Sequence, residues 1–262
     1  MKKLLIGLLV FVTVFLGGCS EDSEVDSLQR ILDQGYIILG LDDTFAPMGF
    51  RDEDGNVVGF DIDLAEAVAE ELGVELRIQP IEWDSKTLEL NSGNIDMIWN
   101  GLTITDERLE SINFSEAYLN NRQIVLVRDD FEFSSIEDLT GLTVGVQIDS
   151  SGQYALEGNE IYSSIGELVK FNTFTEALLD LESERIDVII IDEIMARYVV
   201  SQDTYNVVVT DVSLGDEEYG IGFRLGEDSL RARFDEILNQ LVIDGVTSTI
   251  SNEWFGEDIF LD

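Results

Sequence analysis

The stretch EWDSKTLELNSGNIDMIWNG, residues 82–101, recurs further along the chain as TFTEALLDLESERIDVIIID, residues 173–192. The two stretches align without a gap, and in both an apolar pattern of helical spacing leads through a short turn into an apolar strand-like run. Identical residues fall at Leu88 and Leu179, Leu90 and Leu181, Ser92 and Ser183, Ile95 and Ile186, Asp96 and Asp187, and Ile98 and Ile189. The repeat predicts two similarly built α/β units.

The match extends upstream of each copy. IILGLDDT (37–44) and LTVGVQID (142–149) correspond through Gly40 and Gly145. Strand-like and helix-like segments alternate from Leu28 onward, which is typical of an α/β protein. In parallel α/β sheets, ligands gather at the carboxyl ends of the strands. Two such edges facing each other would enclose a small polar molecule, although this architecture alone does not imply chemistry.

The apolar periodicity also predicts the individual elements. A hairpin turn is expected at Asp54-Gly55. A calcium loop at Asp52 and Asp54 is excluded because the spacing lacks the further ligands of an EF-hand. We expect helices at 28–33, 61–72, 85–91, 153–156, 174–183, 193–201, 230–244 and 246–255. We expect strands at 36–41, 75–78, 95–99, 143–147, 168–171, 188–191, 206–209 and 219–223.

The composition excludes several classes of function. The 262 residues carry a formal net charge of −39, with 54 acidic and 15 basic side chains and no histidine. Such a surface repels nucleic acid and anionic lipid, and we interpret it as a solvated acidic coat. The absence of histidine removes the commonest general base and the commonest zinc ligand. We expect no metal and no cofactor.

The N-terminus has the features of an export signal. Lys2 and Lys3 precede an apolar run at 4–16, which is shorter than the roughly 20 residues that a spanning helix needs. The sequence LGGC at 16–19 resembles a bacterial lipobox, whose cysteine is acylated. Cys19, the only cysteine, is therefore expected to carry lipid such as palmitate. We predict a signal peptide at 1–18 and a polar tether at 19–26.

A second informative stretch is GLTITDERLESINFSEAY, residues 101–118. Thr105 has the character of a helix N-cap, and the acids that follow it suit the positive end of the helix dipole. Arg108 then falls at the third helical position, where a cation is disfavoured. A bound anion would explain an arginine there, whereas pairing with Glu107 or Glu110 on the surface is the simpler alternative.

The candidate site residues together describe a receptor for an α-amino acid. Arg108 can donate two hydrogen bonds to a carboxylate, the loop at 149–152 can present backbone N–H groups to an anion, and Asp192 can accept from an ammonium. Each has a structural alternative. Asp192 could cap the helix after it, Ser150 and Ser151 could form an N-cap, and Phe45 and Trp83 could belong to the core.

Several motifs in order resemble the extracytoplasmic substrate-binding proteins of polar amino acid ABC transporters, which have the type II periplasmic-binding-protein fold. The resemblance covers nearly the whole mature chain. It rests on LDDTFAPMGF, GFDIDLAEAVAEELG, NSGNIDMIWNGLTITDER, INFSEAYL, LTGLTVGVQIDSSG, IDVIIIDE and the closing EWFG. It implies capture of a polar L-amino acid between two lobes and its delivery to membrane permease subunits.

The resemblance also implies roles for individual residues. Thr103 and Arg108 would hold the α-carboxylate with the Ser150-Ser151 loop, and Asp192 would hold the α-ammonium with the carbonyl of Gly101. The expected ligand-binding set is Asp42, Phe45, Trp83, Asn100, Gly101, Thr103, Arg108, Ser150, Ser151 and Asp192. Phe45 and Trp83 would enclose the side chain, and Asp42 would contact its polar or cationic tip.

Three positions depart from the family pattern. Asp149 lies where glycine is common, which adds a negative charge near the carboxylate pocket. Trp99 and Asn100 replace smaller residues and are expected to reshape the side-chain pocket. The sequence does not identify the amino acid. Asp42 favours glutamine, arginine, lysine or histidine, whose side chains donate hydrogen bonds, and cystine and the acidic amino acids are further candidates.

By the same resemblance, the fold has two discontinuous lobes, each a mixed sheet flanked by helices, joined by a two-strand hinge. Lobe 1 would span 27–120 and 217–262, and lobe 2 would span 121–216. We expect a monomer, lipid-anchored outside the cytoplasm, on the outer face of a Gram-positive membrane.

Two other functions compete with this one. The same fold resembles cyclohexadienyl dehydratases, and Glu82, Glu116 and Glu193 are candidate acids or bases for such an enzyme. The clamp for carboxylate and ammonium leaves no obvious reacting group, so we expect a binding protein and not an enzyme. The sensor lobe of a membrane receptor is disfavoured because the chain reaches Asp262 without a second apolar span.

Overall fold

The computed structural model describes residues 26–261. Its strands are β1 (Tyr36–Leu41), β2 (Thr44–Phe45), β3 (Gly49–Arg51), β4 (Val57–Val58), β5 (Glu75–Pro80), β6 (Met97–Ile98), β7 (Ile112–Phe114), β8 (Leu119–Arg128), β9 (Thr143–Gln147), β10 (Glu167–Phe171), β11 (Val188–Asp192), β12 (Val207–Tyr219) and β13 (Gly222–Arg224). Its helices are α1 (Ser27–Gln34), α2 (Phe60–Leu72), α3 (Lys86–Asn91), α4 (Asp106–Leu109), α5 (Ser151–Glu157), α6 (Phe174–Glu182), α7 (Glu193–Ser201), α8 (Asp228–Ile243) and α9 (Val246–Phe255).

Two five-stranded sheets of the same design organise these elements. The first has the order β5-β1-β6-β13-β7 and the second the order β10-β9-β11-β8-β12. In each, three parallel strands are followed by two strands joined through antiparallel pairing. We call the first sheet and its helices the first lobe, and the second sheet and its helices the second lobe. The predicted two-lobed α/β fold with mixed sheets is confirmed.

The internal repeat has a structural counterpart in the packing of two glycines. A Cβ on Gly40 of β1 would lie 2.4 Å from Cδ1 of Ile95, and one on Gly145 of β9 would lie 2.5 Å from Cδ1 of Ile186. Ile95 and Ile186 are equivalent in the sequence repeat. Each lobe therefore seats the same isoleucine against a strand position where only glycine leaves room.

The repeated aspartates and two arginines fix each lobe in the same way. Asp96 accepts from the backbone N–H of Ile38 at 2.9 Å, and Asp187 accepts from that of Thr143 at 2.8 Å. Arg224 on β13 donates to the carbonyls of Leu90 and Ile95, and Arg128 on β8 donates to those of Leu181 and Ile186. In each lobe, an arginine on the neighbouring antiparallel strand thus binds the turn between the repeated helix and its strand.

Two extended strands connect the lobes. β8 leaves the first lobe at Leu119, and β12 returns to it at Tyr219, with these two residues paired in antiparallel register. An isolated bridge joins Tyr219 to Thr103 of the first lobe. Residues at these ends of β8 and β12 consequently lie next to both lobes.

Most predicted elements are present, with corrections near the connecting strands. The expected strands at 206–209 and 219–223 are instead the continuous β12, ending at Tyr219, and the separate β13. Register shifts at Ser213 and Gly215 interrupt the β12 ladder, and the polar residues around them are typical of a loop. The strand expected at 95–99 is limited to Met97–Ile98. Strands β2 and β7 were not predicted as elements, and β8 was expected only as an extended crossover between the lobes near 117–123.

The predicted signal peptide, Cys19 and all but the last residue of the tether lie outside the described residues. Within residues 26–261, no helix combines the length and the apolar character needed to cross a membrane.

Candidate functional site

One cavity between the two lobes brings the predicted binding residues together. It is lined by Asp42, Phe45, Trp83, Asn100, Gly101, Thr103, Arg108, Gln147, Ser150, Ser151 and Asp192. All ten residues expected to bind the ligand are in this set, and Gln147 is the addition. The space in which the centre of a water molecule fits has a volume of about 10 Å³, which is roughly enough for one water. The two lobes therefore approach each other closely at the cavity. The lobes must separate to admit a larger molecule.

Arg108 provides the positive end of the cavity. Thr105 caps α4 by accepting from the N–H of Arg108 at 3.2 Å, as the sequence predicts. The guanidinium is buried and donates to the carbonyl of Thr103 at 2.9 Å and to that of Asp149 at 3.2 Å. These contacts use two of its five N–H donors and point it inward, away from the surface partners Glu107 and Glu110. The other three donors have no partner within the part of the chain that the structure describes.

Hydroxyl groups lie beside this arginine. The hydroxyl of Thr103 donates to Oγ of Ser151 across the cleft at 3.0 Å, and the amide of Gln123 donates to the same oxygen at 3.0 Å. Ser150 caps α5 by accepting from the N–H of Gln153. The capping alternative therefore holds for Ser150, whereas the Ser151 side chain belongs to a contact between the lobes. A carboxylate here would meet a cation, two hydroxyls and the start of α5.

Asp192 provides the negative end. It ends β11 and precedes α7, yet its side chain makes no capping hydrogen bond to that helix. Its Oδ1 accepts from Nδ2 of Asn121 at 2.8 Å and from the hydroxyl of Tyr219 at 2.6 Å. Both donors lie on the strands that connect the lobes. They fix Oδ1 of the carboxyl group at the end of β11.

Burial changes the proton affinity of both ends. Burial, and then the charge of Glu217, raise the pKa of the Asp192 carboxyl to about 8. Burial also lowers the pKa of Arg108, which nearby carboxylates including Asp192 oppose. Burial thus disfavours the charged forms of both Asp192 and Arg108. A ligand with a positive group near Asp192 and a negative group near Arg108 would stabilise both charged forms. A zwitterion has that charge pattern.

Gly101 forms the wall next to Asp192. Its φ of 60° lies in the left-handed region, and a Cβ would lie 2.9 Å from Phe45 and 3.1 Å from Tyr219. Its N–H donates to the fully buried Asp61 at 2.8 Å, which also accepts from the hydroxyl of Tyr118. Burial raises the pKa of Asp61 to about 7. The buried carboxyl at the start of α2 thereby orients the backbone of Gly101, whose carbonyl is expected from the family resemblance to accept from the ammonium.

Aromatic side chains line the cavity and also belong to the core. Phe45 packs in the largest apolar cluster and Trp83 in a smaller one of the first lobe. Phe174 of the second lobe lies 6.1 Å from Phe45, ring centre to ring centre. Phe174 is the repeat equivalent of Trp83. Phe45 and Trp83 therefore pack in apolar clusters and also line the cavity, and their contact with a ligand stays a prediction.

Asp42 and Gln147 mark the far end of the cavity. Nε2 of Gln147 donates to Oδ2 of Asp42 at 2.6 Å, while Oδ1 of Asp42 accepts from the N–H and hydroxyl of Thr44. Burial raises the pKa of the Asp42 carboxyl. Asn100 accepts from the N–H of Asp42 at 3.1 Å, and its Nδ2 is buried without a partner in the described chain. This part of the lining thus combines a carboxyl group, which accepts from Thr44 and Gln147, with one buried amide donor that has no partner in the described chain.

Two expectations about neighbouring side chains are resolved differently. Trp99 does not line the cavity but packs against Tyr118 and Phe234 in the core. Adjacent residues leaving a strand point to opposite sides, so Asn100 faces the cavity and Trp99 cannot shape it. Gln147 stands at a strand end and is equivalent to Asp42 in the alignment through Gly40 and Gly145, but the expected ligand-binding set did not include it.

The carboxylates considered for catalysis lie elsewhere. Glu82, Glu116 and Glu193 are absent from the cavity lining. Glu193 pairs with Arg122 and Arg197, and the hydrogen bond from Arg122 is the main cause of its lowered pKa. Among residues 26–261, no group of three or more acidic, cysteine or histidine side chains is placed to hold a metal ion.

Comparison with known proteins identifies a family that the chain matches over most of its length. The model of the bacterial extracellular solute-binding proteins, family 3, matches residues 37–257. The L-cystine-binding protein TcyJ of Escherichia coli (strain K12) is 28% identical over 95% of this chain and 94% of its own. The arginine-binding extracellular protein ArtP of Bacillus subtilis (strain 168) is 28% identical over 97% and 98%.

A solved structure gives a closer match. The ABC uptake transporter substrate binding protein from Streptococcus pneumoniae with bound histidine is 38% identical and superimposes with a TM-score of 0.88, covering 91% of this chain and 99% of that one.

Proposed function

The chain belongs to the bacterial extracellular solute-binding proteins, family 3, and we propose that its ligands are L-amino acids whose side chains donate hydrogen bonds. It is an amino-acid-binding component of an ABC transporter. The observation that carries the ligand class is the pairing of Arg108 and Asp192, opposite charges that are both buried and line one cavity from different lobes.

The proposed binding mode follows from the donors and acceptors described above. The α-carboxylate accepts from Arg108, Thr103 and the Ser150-Ser151 loop. The α-ammonium donates to Oδ2 of Asp192 and to the carbonyl of Gly101. Charged hydrogen bonds of this kind are shorter and stronger than neutral ones, and a cavity closed to water strengthens them further.

The side chain of the ligand is proposed to run between Phe45 and Trp83 toward Asp42. Arg108 is the single cation among the cavity-lining residues, and it lies at the carboxylate end. An acidic side chain would meet the carboxylate of Asp42, whereas arginine, lysine, histidine or glutamine would supply donors to it. We place arginine first because its guanidinium offers the most donors.

Hinge closure of the lobes is proposed to trap the ligand. We retain the limits 27–120 with 217–262 for lobe 1 and 121–216 for lobe 2, and β8 and β12 act as the hinge. The closed protein, a monomer, presents both lobes to the permease subunits. We propose a binding protein and not an enzyme, because the residues that line the cavity would bind the charged groups of the ligand and offer no obvious group to react with it.

We also propose that the protein is tethered by lipid on Cys19 to the outer face of a Gram-positive membrane. Support comes from the LGGC motif and from the extracellular character of the family. The variant Cys19→Ser should lose incorporated palmitate and appear in the medium. A variant that stays membrane-bound and labelled would contradict the anchor.

Calorimetry with the twenty amino acids tests the proposed function. We expect sub-micromolar to micromolar binding of one or a few members with donor-bearing side chains. Silence across the panel, or preference for glutamate or aspartate, would refute the proposal.

A further inference from the structure

We infer that Lys86 of the first lobe and Asp149 of the second form an ionic latch that holds the lobes closed and positions Arg108. The consequences for ligand release rest on the proposed function. The latch itself is a contact between the lobes and can be tested without a ligand.

Lys86 occupies an unusual position for a lysine. It begins α3, and its side chain is only 1% exposed. Its Nζ donates to the carbonyl of Trp83 at 3.1 Å in its own lobe. It also donates to the carbonyl of Asp149 at 3.0 Å and to the Asp149 carboxylate. A buried ammonium is unfavourable unless a counter-charge accompanies it, and Asp149 supplies that charge from the opposite lobe.

Asp149 is built to receive two cations. It lies between β9 and α5 with a φ of 58°, in the left-handed region that aspartate tolerates better than most residues. Its carboxylate also accepts from the hydroxyl of Tyr154, which fixes the side chain. Its carbonyl accepts from Lys86 and, at 3.2 Å, from Arg108. One residue of the second lobe thus joins two cations of the first, Lys86 and Arg108.

The latch acts from outside the cavity. Neither Lys86 nor Asp149 lines it, so a ligand would meet neither side chain directly. Lys86 lies 4.8 Å from the ring centre of Trp83, which does line the cavity. Lys86 is therefore packed behind the aromatic wall, and the Asp149 carbonyl directs the guanidinium of Arg108. Both are positioning residues for the binding site.

These bonds exist only while the lobes are together. When the lobes separate, Lys86 loses both contacts with Asp149 and Arg108 loses its bond to the Asp149 carbonyl. The latch consequently favours the closed state over the open one, and only such a difference can shift that equilibrium. Its expected effect is on ligand release, because the ligand leaves after the lobes open.

The test is a double-mutant cycle with Lys86→Met, Asp149→Asn and the double variant. Asparagine also tolerates the left-handed conformation, so the backbone is preserved. Stopped-flow measurement of tryptophan fluorescence with L-arginine gives both rate constants. Matched controls are Lys170→Met and Asp180→Asn, which break ion pairs inside the second lobe, Lys170 with Glu157 and Asp180 with Arg185.

We expect each single variant to release L-arginine roughly tenfold faster or more, with association changed by less than about threefold. The double variant should release no faster than the faster single variant, because each change breaks the same contact. Release rates equal to those of the controls, or single effects that multiply, would overturn the latch. A merely structural role would lower the melting temperature and leave the release rate unchanged.

Small-angle X-ray scattering without any ligand decides the case in which L-arginine does not bind. A larger radius of gyration for Asp149→Asn than for the parent and the Asp180→Asn control would support the latch even though the arginine assignment fails. Equal radii would then overturn it.

Discussion

Removal of Arg108 is the change that most directly separates binding from folding. Arg108 is 7% exposed, and among residues 26–261 its side chain has partners for only two of its five N–H donors. A hydrogen bond to a charged group contributes about 1.5–3 kcal/mol, so losing two of them costs about 3–6 kcal/mol. Since 1.4 kcal/mol is tenfold in affinity, Arg108→Ala should weaken binding by a factor between about a hundred and roughly twenty thousand.

The same substitution should affect folding much less. It removes the donor to the carbonyl of Thr103 and one of the two donors to the carbonyl of Asp149, which destabilises the fold, but it also removes a charge that burial disfavours. We expect a loss of about 1–2 kcal/mol in the free energy of unfolding, or roughly 3–8 °C in melting temperature.

The assay is isothermal titration calorimetry with the amino acid that the parent binds, alongside circular dichroism. Arg108→Lys should recover only part of the affinity because a lysine cannot donate two parallel bonds. Arg185→Ala, whose side chain is 61% exposed in the second lobe, serves as the control and should bind like the parent. A folded Arg108→Ala variant with affinity within about threefold of the parent would refute the assigned role.

Three further predictions concern the rest of the cavity. The carboxyl group of Asp192 must be ionised to hold an ammonium, and its pKa is raised to about 8. Ligand affinity should therefore rise with pH below 8, by up to about tenfold per pH unit. Calorimetry in buffers of different ionisation enthalpy should show proton release on binding, and an affinity that stays constant from pH 6 to 8 would contradict this prediction. Asp42→Asn should weaken the binding of arginine and lysine by about tenfold or more, and the binding of glutamine by less. Equal losses of affinity in titrations with all three amino acids would place Asp42 away from the ligand side chain. Gly101→Ala should lower affinity at least roughly tenfold, since its φ of 60° and the 2.9 Å approach of a Cβ to Phe45 strain the wall; unchanged binding with a relaxed backbone in a crystal structure would reject that constraint.

The repeat explains why so much of the fold could be predicted from sequence. Ile95 and Ile186 pack on equivalent glycines, and Asp96 and Asp187 bind equivalent backbone N–H groups. Such contacts are dictated by short local segments, so they leave a pattern in the sequence. β12 could not be predicted in the same way, because its polar, irregular stretch around Gly215 is a strand only through pairing with β8.

The candidate site was predictable where its residues follow strand ends. Arg108 and Asp192 both stand at positions that the repeat or a capping motif marks. Lys86 could not be identified, since a lysine at the start of a helix is ordinarily exposed, and its burial depends on Asp149, 63 positions away in sequence. Asn121 and Tyr219 likewise reach Asp192 only through the course of β8 and β12.

The central claim is that Arg108 binds the α-carboxylate and Asp192 binds the α-ammonium of the same amino acid. The most direct test is calorimetry with L-arginine, with agmatine, which lacks the α-carboxylate, and with Nα-acetyl-L-arginine, which lacks the α-ammonium. We predict micromolar or tighter binding of L-arginine and a loss of about a hundredfold or more for each analogue. Equal affinity for all three compounds would contradict the account.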